Sequence, residues 1–356
     1  MSAPGRPQAL IPEPHGGEGT PASAPGRSQA LIPEPLGGEG IPVNTAGFAR
    51  RALLAAALPG LAWARHALAA GDTRRLRVVA TFSILADLVR EVASDAAEVV
   101  SLVGPDSDAH VYQPRPSDVQ RIASADLVVV NGLGFEGWIE RLVRVAGGRA
   151  EIVVASSGVV ARRQGNAVDP HAWQDPRLLA RYVDNLSTAL ARLRPDASAS
   201  FAQRAEALRA RLASLDAMAR QTLAAVPAAE RRVIASHDAF GYLADAYGIT
   251  FLSPRGWSTE AEPSAADIAA LVRQVRRQRV RALFVENISD RRLTERIGRE
   301  TGLQVGGVLY SDALSAAGGP ADTALKLVEH NLRTVTRALA TPPSPPGAPN
   351  TAGAQK

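Results

Sequence analysis

Short β-branched runs alternate with longer amphipathic segments from residue 75 onward, and this alternation constrains the fold more than any other feature. Strands separated by helices form parallel sheets that are covered by helices. The chain is therefore predicted to be an α/β protein with two lobes, each a parallel sheet flanked by helices. The first lobe has predicted strands at 75–81, 97–103, 126–132 and 151–156 with helices at 84–93, 117–124 and 136–146. The second has predicted strands at 231–236, 249–254, 281–286 and 304–310 with helices at 239–247, 264–278, 289–301 and 321–340.

A helical stretch separates the two series of strands. It runs from Pro176 to Ala225 and is interrupted at 194–198, where Pro195 ends one helix. The part that follows, 199–226, contains no Gly or Pro and could form a helix of about 40 Å at 1.5 Å per residue. We expect it to be a rigid connecting helix between an N-terminal lobe, 71–198, and a C-terminal lobe, 227–341.

The segments outside these lobes have a different character. "PGRPQALIPEPHGGEG" at 4–19 recurs almost unchanged at 25–40, and this Pro- and Gly-rich extension, 1–45, is expected to be disordered. Residues 46–70 combine a twin Arg, an apolar run and "ALA", which is typical of a secretory signal peptide. The tail, 342–356, is also expected to be disordered. We therefore expect an exported mature protein that begins near residue 70.

Composition restricts the chemistry. The chain contains 0 Cys, which excludes disulfides, thiolate metal sites, a cysteine nucleophile and a lipid-anchored cysteine. His, Asp and Glu remain as the reactive residues. The formal net charge is +5, but the densest basic run, 272–282, lacks interleaved aromatic residues and a nucleic-acid motif. No nucleic-acid partner is expected.

Three histidines follow predicted strands. His110 lies in "GPDSDAHVYQP" after the second strand of the first lobe, and His171 lies in "DPHAWQDP" after the fourth. His237 ends the first strand of the second lobe. Ligands of open α/β sheets bind outside the carboxyl ends of the strands, so we expect these side chains to meet there. His330 belongs to the last helix and is interpreted as a surface or packing residue.

A carboxylate from the same edge of the second lobe would complete the set. Glu286 closes one predicted strand and Asp312 follows another, whereas Asp238 is expected to cap a helix. Three neutral imidazoles and a carboxylate suit Zn(II), with nitrogen bonds of about 2.0 to 2.1 Å. Mn(II) prefers more oxygen ligands. The residues thus predict a metal ion in the cleft between the lobes, with Glu286 and Asp312 as alternative acidic ligands.

These motifs resemble the solute-binding proteins of zinc and manganese ABC importers, known as cluster A-I. The resemblance covers about 75–340 and is carried by the segments at 108–140, 169–176, 235–249, 262–272 and 310–315. It implies that Zn(II) is captured as a transported ligand in the periplasm and delivered to an ABC importer permease. It also implies the metal ligands, which are His110, His171, His237 and Asp312. Glu286 is kept as a supporting or alternative residue.

One residue and one loop refine this expectation. Manganese binders of the family generally have Glu where this chain has His237, and zinc binders generally have His, so the resemblance favours zinc. Many zinc members also carry a His-rich loop, whereas 156–170 contains no histidine. We expect zinc to be acquired directly or from a periplasmic metallochaperone. The protein is expected to be a periplasmic monomer without a lipid anchor.

Two other functions are alternatives to zinc import. A zinc hydrolase keeps one coordination position open for water, whereas the four candidate ligands fill a tetrahedron and the chain has no "HExxH" motif. We therefore expect no enzymatic activity. Import of manganese or iron(II) remains the alternative within the same family, because affinity generally follows the Irving–Williams order and a ligand set does not fix the physiological metal.

Overall fold

The computed structural model describes residues 74–341. The predicted extension (1–45), signal peptide (46–70) and tail (342–356) lie outside the described residues. Among the helices of 74–341, none combines the length and apolar character needed to cross a membrane.

The first lobe is built on a four-stranded parallel sheet. Its elements in chain order are β1 (Leu76–Phe82), α1 (Ser83–Ala93), β2 (Ala97–Val103), α2 (Pro116–Ala123), β3 (Leu127–Val130), α3 (Ile139–Ala146) and β4 (Glu151–Val154). The strand order is β2-β1-β3-β4. Val79 of β1 is aligned with Val100 on one side and with Val128 on the other, which fixes the register at the centre of the sheet.

Side-chain alternation along β1 separates two hydrophobic layers. Val78, Ala80 and Phe82 belong to the large core cluster that includes residues of α1. Val79 points to the other face, where it packs with buried residues of α2 and α3 such as Ile122. Successive strand residues face opposite sides of a sheet, so a valine-rich strand is buried on both faces. This explains why β1 and β3 read as nearly continuous apolar runs.

A short connection leads from the first lobe to the helices. It contains an antiparallel hairpin of β5 (Arg163–Gln164) and β6 (Ala167–Val168), which the sequence pattern did not predict. Two long helices follow, α4 (Pro176–Leu193) and α5 (Ser198–Ala224). The predicted helix at 199–226 is thus present as α5, which packs along α4 and also contacts α1.

The second lobe repeats the parallel architecture. Its elements are β7 (Arg232–Ile234), α6 (Gly241–Tyr247), β8 (Thr250–Leu252), α7 (Ala265–Arg277), β9 (Ala282–Glu286), α8 (Arg291–Thr301), β10 (Val305–Leu309) and α9 (Ala324–Ala340). The strand order is β10-β9-β7-β8, and each neighbouring pair is parallel. The predicted α/β class with two parallel sheets flanked by helices is confirmed.

The last helix links the two lobes. α9 packs on β10 of the second lobe and also contacts α1 and α5. At its first turn, the Asp87 carboxylate of α1 accepts a 2.7 Å hydrogen bond from the backbone N–H of Ala324. Burial raises the pKa of Asp87 to about 6, although this hydrogen bond opposes the change. An acidic side chain of the first lobe is therefore buried against the N-terminus of α9.

Four helices begin two or three residues later than the sequence predicts; α8 begins at Arg291 rather than 289 and α9 at Ala324 rather than 321. The helix expected from residue 136 begins at Ile139, because the Glu136 carboxylate accepts backbone N–H groups of Asn131 and Gly132 and closes a turn. The helix expected from residue 239 begins at Gly241, with Phe240 at the N-cap position. The expectation that Asp238 caps this helix is therefore wrong.

Candidate metal centre

The four predicted ligands lie together at the carboxyl edges of the two sheets. His110 and His171 come from loops of the first half of the described chain, and His237 and Asp312 come three residues after the ends of β7 and β10. One candidate ligand atom from each residue lies within 4.8 Å of the others. Side chains that are far apart in sequence therefore meet at this edge of the two sheets.

The separations resemble the edges of a coordination shell. Nε2 of His110 and Nε2 of His237 each lie 3.3 Å from Oδ2 of Asp312, and Nε2 of His171 lies 3.5 Å from Oδ1. The Nε2 atoms of His110 and His171 are 3.4 Å apart. Bonds of about 2.0 to 2.1 Å would place tetrahedral neighbours about 3.3 Å apart. The two distances to Oδ2 and the distance between His110 and His171 fit a small cation, whereas His171 is nearest to the other oxygen, Oδ1, and one ligand atom from each residue lies within 4.8 Å of the others.

Asp312 is a buried carboxylate that lacks ordinary partners. Its side chain is 0% exposed, and neither oxygen accepts a hydrogen bond from any residue within 74–341. Burial alone would raise its pKa, but the imidazoles of His237 and His171 outweigh burial and hold that pKa well below its ordinary value. Leaving a buried anion without donors is costly. The site is therefore suited to a positive charge between the carboxylate and the imidazoles.

The loop that carries His110 is fixed from two directions. The backbone N–H of His110 donates to Oδ1 of Asp108 at 2.9 Å, and Nε1 of Trp138 donates to the carbonyl oxygen of Ala109 at 3.1 Å. The ring of Phe135 meets the His110 ring edge-on, with centroids 4.8 Å apart. The ring orientation is therefore held by packing, while the backbone is held by hydrogen bonds.

Tyr112, from the same loop, supports it by packing. Its ring lies 5.1 Å from that of Trp138, and its hydroxyl donates to Oδ2 of Asp118 at 2.7 Å. Burial, together with the Asp118 carboxylate, raises the pKa of Tyr112 to about 12. Tyr112 therefore fastens the loop that carries His110 to the first turn of α2.

His171 is oriented by a residue that the sequence interpretation missed. Oδ1 of Asp169 lies 2.9 Å from Nδ1 of His171 and also accepts the backbone N–H of His171 at 3.0 Å. An ionised carboxylate can only accept, so Nδ1 is assigned the proton and Nε2 keeps a lone pair toward the centre. The acidic residue two positions before His171, in "DPH", was the available signal.

His237 has the equivalent partner in Glu286. Oε2 of Glu286 lies 2.6 Å from Nδ1 of His237 without straight hydrogen-bond alignment, and Oε1 accepts the backbone N–H of His237 at 2.9 Å. Burial alone would lower the pKa of His237, but the carboxylates of Glu286 and Asp312 outweigh it and raise that pKa well above its ordinary value. Of the two alternative acids, Asp312 faces the cluster and Glu286 lies behind His237.

Access to the site is on the His110 side. His171, His237 and Asp312 are fully buried, whereas His110 is partly buried and lines a cleft of about 760 Å³ together with Tyr112, Phe135, Trp138 and Trp257. His330 lies elsewhere: its Nε2 is 2.9 Å from the carbonyl oxygen of Val308, and its ring meets Tyr310 edge-on. The packing interpretation of His330 agrees with this position.

Three curated relatives span most of the chain. TroA of Treponema pallidum, named a zinc-binding protein, is 33% identical over 281 residues, which is 76% of this chain and 91% of TroA. YfeA of Yersinia pestis, named an iron-binding protein, is 31% identical over 270 residues, 74% of this chain and 86% of YfeA. MntA of Halalkalibacterium halodurans, named a manganese-binding lipoprotein, is 28% identical over 270 residues, 75% of this chain and 90% of MntA.

A solved structure and a family match support the same assignment as these relatives. The solved structure of TroA from Treponema pallidum superposes with a TM-score of 0.72 at 31% identity, over 75% of this chain and 100% of that chain. Residues 78–338 match the family described as zinc-uptake complex component A, periplasmic. The expected resemblance to cluster A-I solute-binding proteins is confirmed, and the chain belongs to the zinc-uptake complex component A family.

Proposed function

We propose that this protein captures Zn(II) in the periplasm and delivers it to the permease of an ABC importer. As a member of its family it is a metal-binding substrate-binding protein of an ABC transport system. Its relatives and structural neighbours are substrate-binding transport proteins rather than enzymes. Beyond this family-level function, we propose zinc as the metal, the four named residues as its ligands and the periplasm as the compartment.

One observation carries the proposal. Three Nε2 atoms converge on a fully buried carboxylate that has no hydrogen-bond donor among the described residues. A divalent cation would satisfy both oxygens and use the three nitrogen lone pairs, and a set dominated by imidazole suits zinc. Asp169 and Glu286 behind two of the rings are the kind of partner that keeps metal-binding histidines in the required tautomer.

Manganese or iron(II) is the second candidate, and one observation favours it. Both oxygens of Asp312 face the imidazoles, because Oδ2 is nearest to His110 and His237 and Oδ1 is nearest to His171. A carboxylate that binds through both oxygens would raise the oxygen share of the ligand set, which harder cations prefer. Relatives named for iron and manganese belong with this alternative.

Capture and release follow from the origin of the ligands. His237 and Asp312 belong to the second lobe, whereas His110 and His171 belong to the connections of the first. A bound cation would therefore hold the two sides of the cleft together. Delivery would require the second-lobe ligands to separate from the first-lobe ligands, with the ion leaving past the partly exposed His110.

The location and partners are proposals that accompany this function. The segment at 46–70 would direct export, and the mature protein would act as a monomer in the periplasm. Family members work with permease and ATPase components of an ABC importer. A periplasmic zinc metallochaperone is proposed as a second source of zinc, because the chain lacks a His-rich loop at 156–170.

Metal content and competitive titration of the purified protein test the ligands. We expect one tightly held zinc ion per chain and a loss of at least about a hundredfold in zinc affinity for His237→Ala, since one of four ligands is removed. His330→Ala is the matched control and should bind zinc like the wild type. Absence of zinc, or equal affinity in His237→Ala, would refute the assigned site.

The physiological metal needs a cellular experiment, because zinc outcompetes manganese at most protein sites. A strain that lacks this protein should accumulate less zinc in zinc-poor medium, while its manganese and iron contents stay unchanged. Restoring the wild-type chain should restore zinc, and restoring His237→Ala should not. A selective loss of manganese or iron would support the second candidate instead.

A further inference from the structure

We propose that Arg162 is a positioning residue that latches the His171 loop to α6 and thereby slows metal release. The inference rests on the proposed metal-binding function and assigns a role to the segment where the family's His-rich loop is missing. Arg162 lies just before the β5–β6 hairpin and contacts Asp169, the carboxylate behind His171. It also contacts α6, which packs in the second lobe.

The guanidinium of Arg162 joins two carboxylates. Nη1 donates to Oδ2 of Asp169 at 2.5 Å, and Nε donates to Oδ2 of Asp245 at 2.7 Å. Asp245 belongs to α6, the helix that follows the His237 loop. Asp169 uses its other oxygen, Oδ1, for Nδ1 of His171. One arginine thus connects the support of a first-lobe ligand with a second-lobe helix.

A tyrosine strengthens the same junction. The backbone N–H of Arg162 donates to the hydroxyl of Tyr242 at 3.0 Å, and that hydroxyl donates to the carbonyl oxygen of Asp169 at 3.0 Å. The Arg162 guanidinium carbon also lies 5.7 Å from the centre of the Tyr242 ring. Both ends of the hairpin are therefore fastened to α6, so that the loop cannot lift away without breaking several contacts.

Gly241 makes room for this contact. A Cβ atom at position 241 would lie 1.7 Å from Nη1 of Arg162 and 2.6 Å from Oδ2 of Asp169. Because its backbone φ is not positive, alanine is compatible with the conformation there, and only the close approach of the ion pair demands glycine. Gly241→Ala therefore displaces the Arg162–Asp169 pair without altering either charge.

The two arms of the latch differ in strength. Asp169 is 0% exposed and Asp245 is 65% exposed, while the Arg162 side chain is 29% exposed. Breaking a buried ion pair leaves an uncompensated charge, whereas exposed pairs contribute little and are screened by salt. We therefore expect the Asp169 arm to control the position of the His171 loop, and the Asp245 arm to add a smaller, salt-sensitive contribution.

Zinc release into excess chelator, followed by stopped flow, tests the latch in the full-length protein. Arg162→Gln and Gly241→Ala should each release zinc at least about tenfold faster than the wild type, because the buried pair is lost. Asp245→Asn should release it about two- to fivefold faster at low salt and like the wild type at high salt. Arg162→Lys should be intermediate, because an ammonium group cannot fork to both carboxylates.

Arg163→Gln is the matched control, since the neighbouring Arg163 is exposed, and it should release zinc like the wild type. The unfolding midpoint of the metal-free variants separates a positioning role from a structural one. If Arg162→Gln lowers that midpoint but releases zinc at the wild-type rate, the latch is refuted while the proposed function stands. A wild-type protein that binds no zinc would refute both.

Discussion

Glu286→Gln tests how much the carboxylate behind His237 contributes to metal affinity. In the wild type, Oε2 of Glu286 lies 2.6 Å from Nδ1 of His237, and Oε1 accepts the His237 backbone N–H. Glutamine keeps the size and can still accept that N–H. Its amide NH₂ would, however, face Nδ1 as a donor, which favours the tautomer with the proton on Nε2. The substitution therefore removes a negative charge and places a proton where the metal should bind.

The magnitude follows from the distances. The 2.6 Å contact, the ring width and a zinc–nitrogen bond of about 2.1 Å place the carboxylate about 6 to 7 Å from the ion. For a divalent ion at that distance, an effective dielectric constant of about 20 gives an attraction of about 5 kcal/mol. This is an upper bound, because solvent and protein dipoles relax when the charge is removed. Losing a partner of this kind weakens metal binding about 10- to 100-fold, or about 1.4 to 2.7 kcal/mol.

Competitive titration with a zinc-specific chromophoric chelator measures this loss. Glu136→Gln is the matched control. Glu136 is also buried, but its carboxylate accepts hydrogen bonds from Thr81, Asn131 and Gly132 rather than lying against a histidine ring. The control should change stability more than zinc affinity. If Glu286→Gln binds zinc within about twofold of the wild type, the argument that Glu286 sets the His237 tautomer and charge is wrong.

Three further predictions concern stability. Burial raises the pKa of Asp87 from 3.8 to about 6, so the ionised form is disfavoured in the folded state, and stability falls as pH rises between these two values. Asp87→Asn keeps an acceptor for the Ala324 N–H, so its free energy of unfolding in urea at pH 7.5 should exceed that of the wild type by up to about 3 kcal/mol. The difference should vanish near pH 4. A difference that does not change with pH would contradict the raised pKa of Asp87. Gly132→Ala should lower the free energy of unfolding in urea by about 1 to 3 kcal/mol more than Gly134→Ala does. Both positions have φ near +80°, but a Cβ would meet Cγ1 of Val154, at 2.5 Å, only at position 132. Zinc at about a thousandfold its dissociation constant should stabilise the wild type by about 4 kcal/mol in calorimetry, chelator should reverse this, and a His110→Ala/His237→Ala double variant should show no gain.

Much of the fold was predictable because its signals are local. The β-branched runs and amphipathic stretches gave the strands and helices of both lobes to within a few residues, since burial on both faces of a parallel sheet demands continuous apolar strands. Helix starts were less accurate where a side chain such as Glu136 reorganised the preceding turn. The β5–β6 hairpin was missed because each of its strands, Arg163–Gln164 and Ala167–Val168, has only two residues, too few to show an apolar alternation.

The sequence by itself determined which residue types could form the site and at which edge of the sheets they would lie. Parallel strands bring their carboxyl ends together, so His110, His171 and His237 were predictable from their positions after strands. The residue pattern left Glu286 and Asp312 open as the acid, and the family resemblance favoured Asp312. Only the tertiary structure decided that both oxygens of Asp312 face the imidazoles and that Asp169, held by Arg162, stands behind His171. The physical reason is that strand and helix patterns are encoded over a few neighbouring residues, whereas a carboxylate's partner depends on ångström-scale distances between segments that meet only after the lobes have packed.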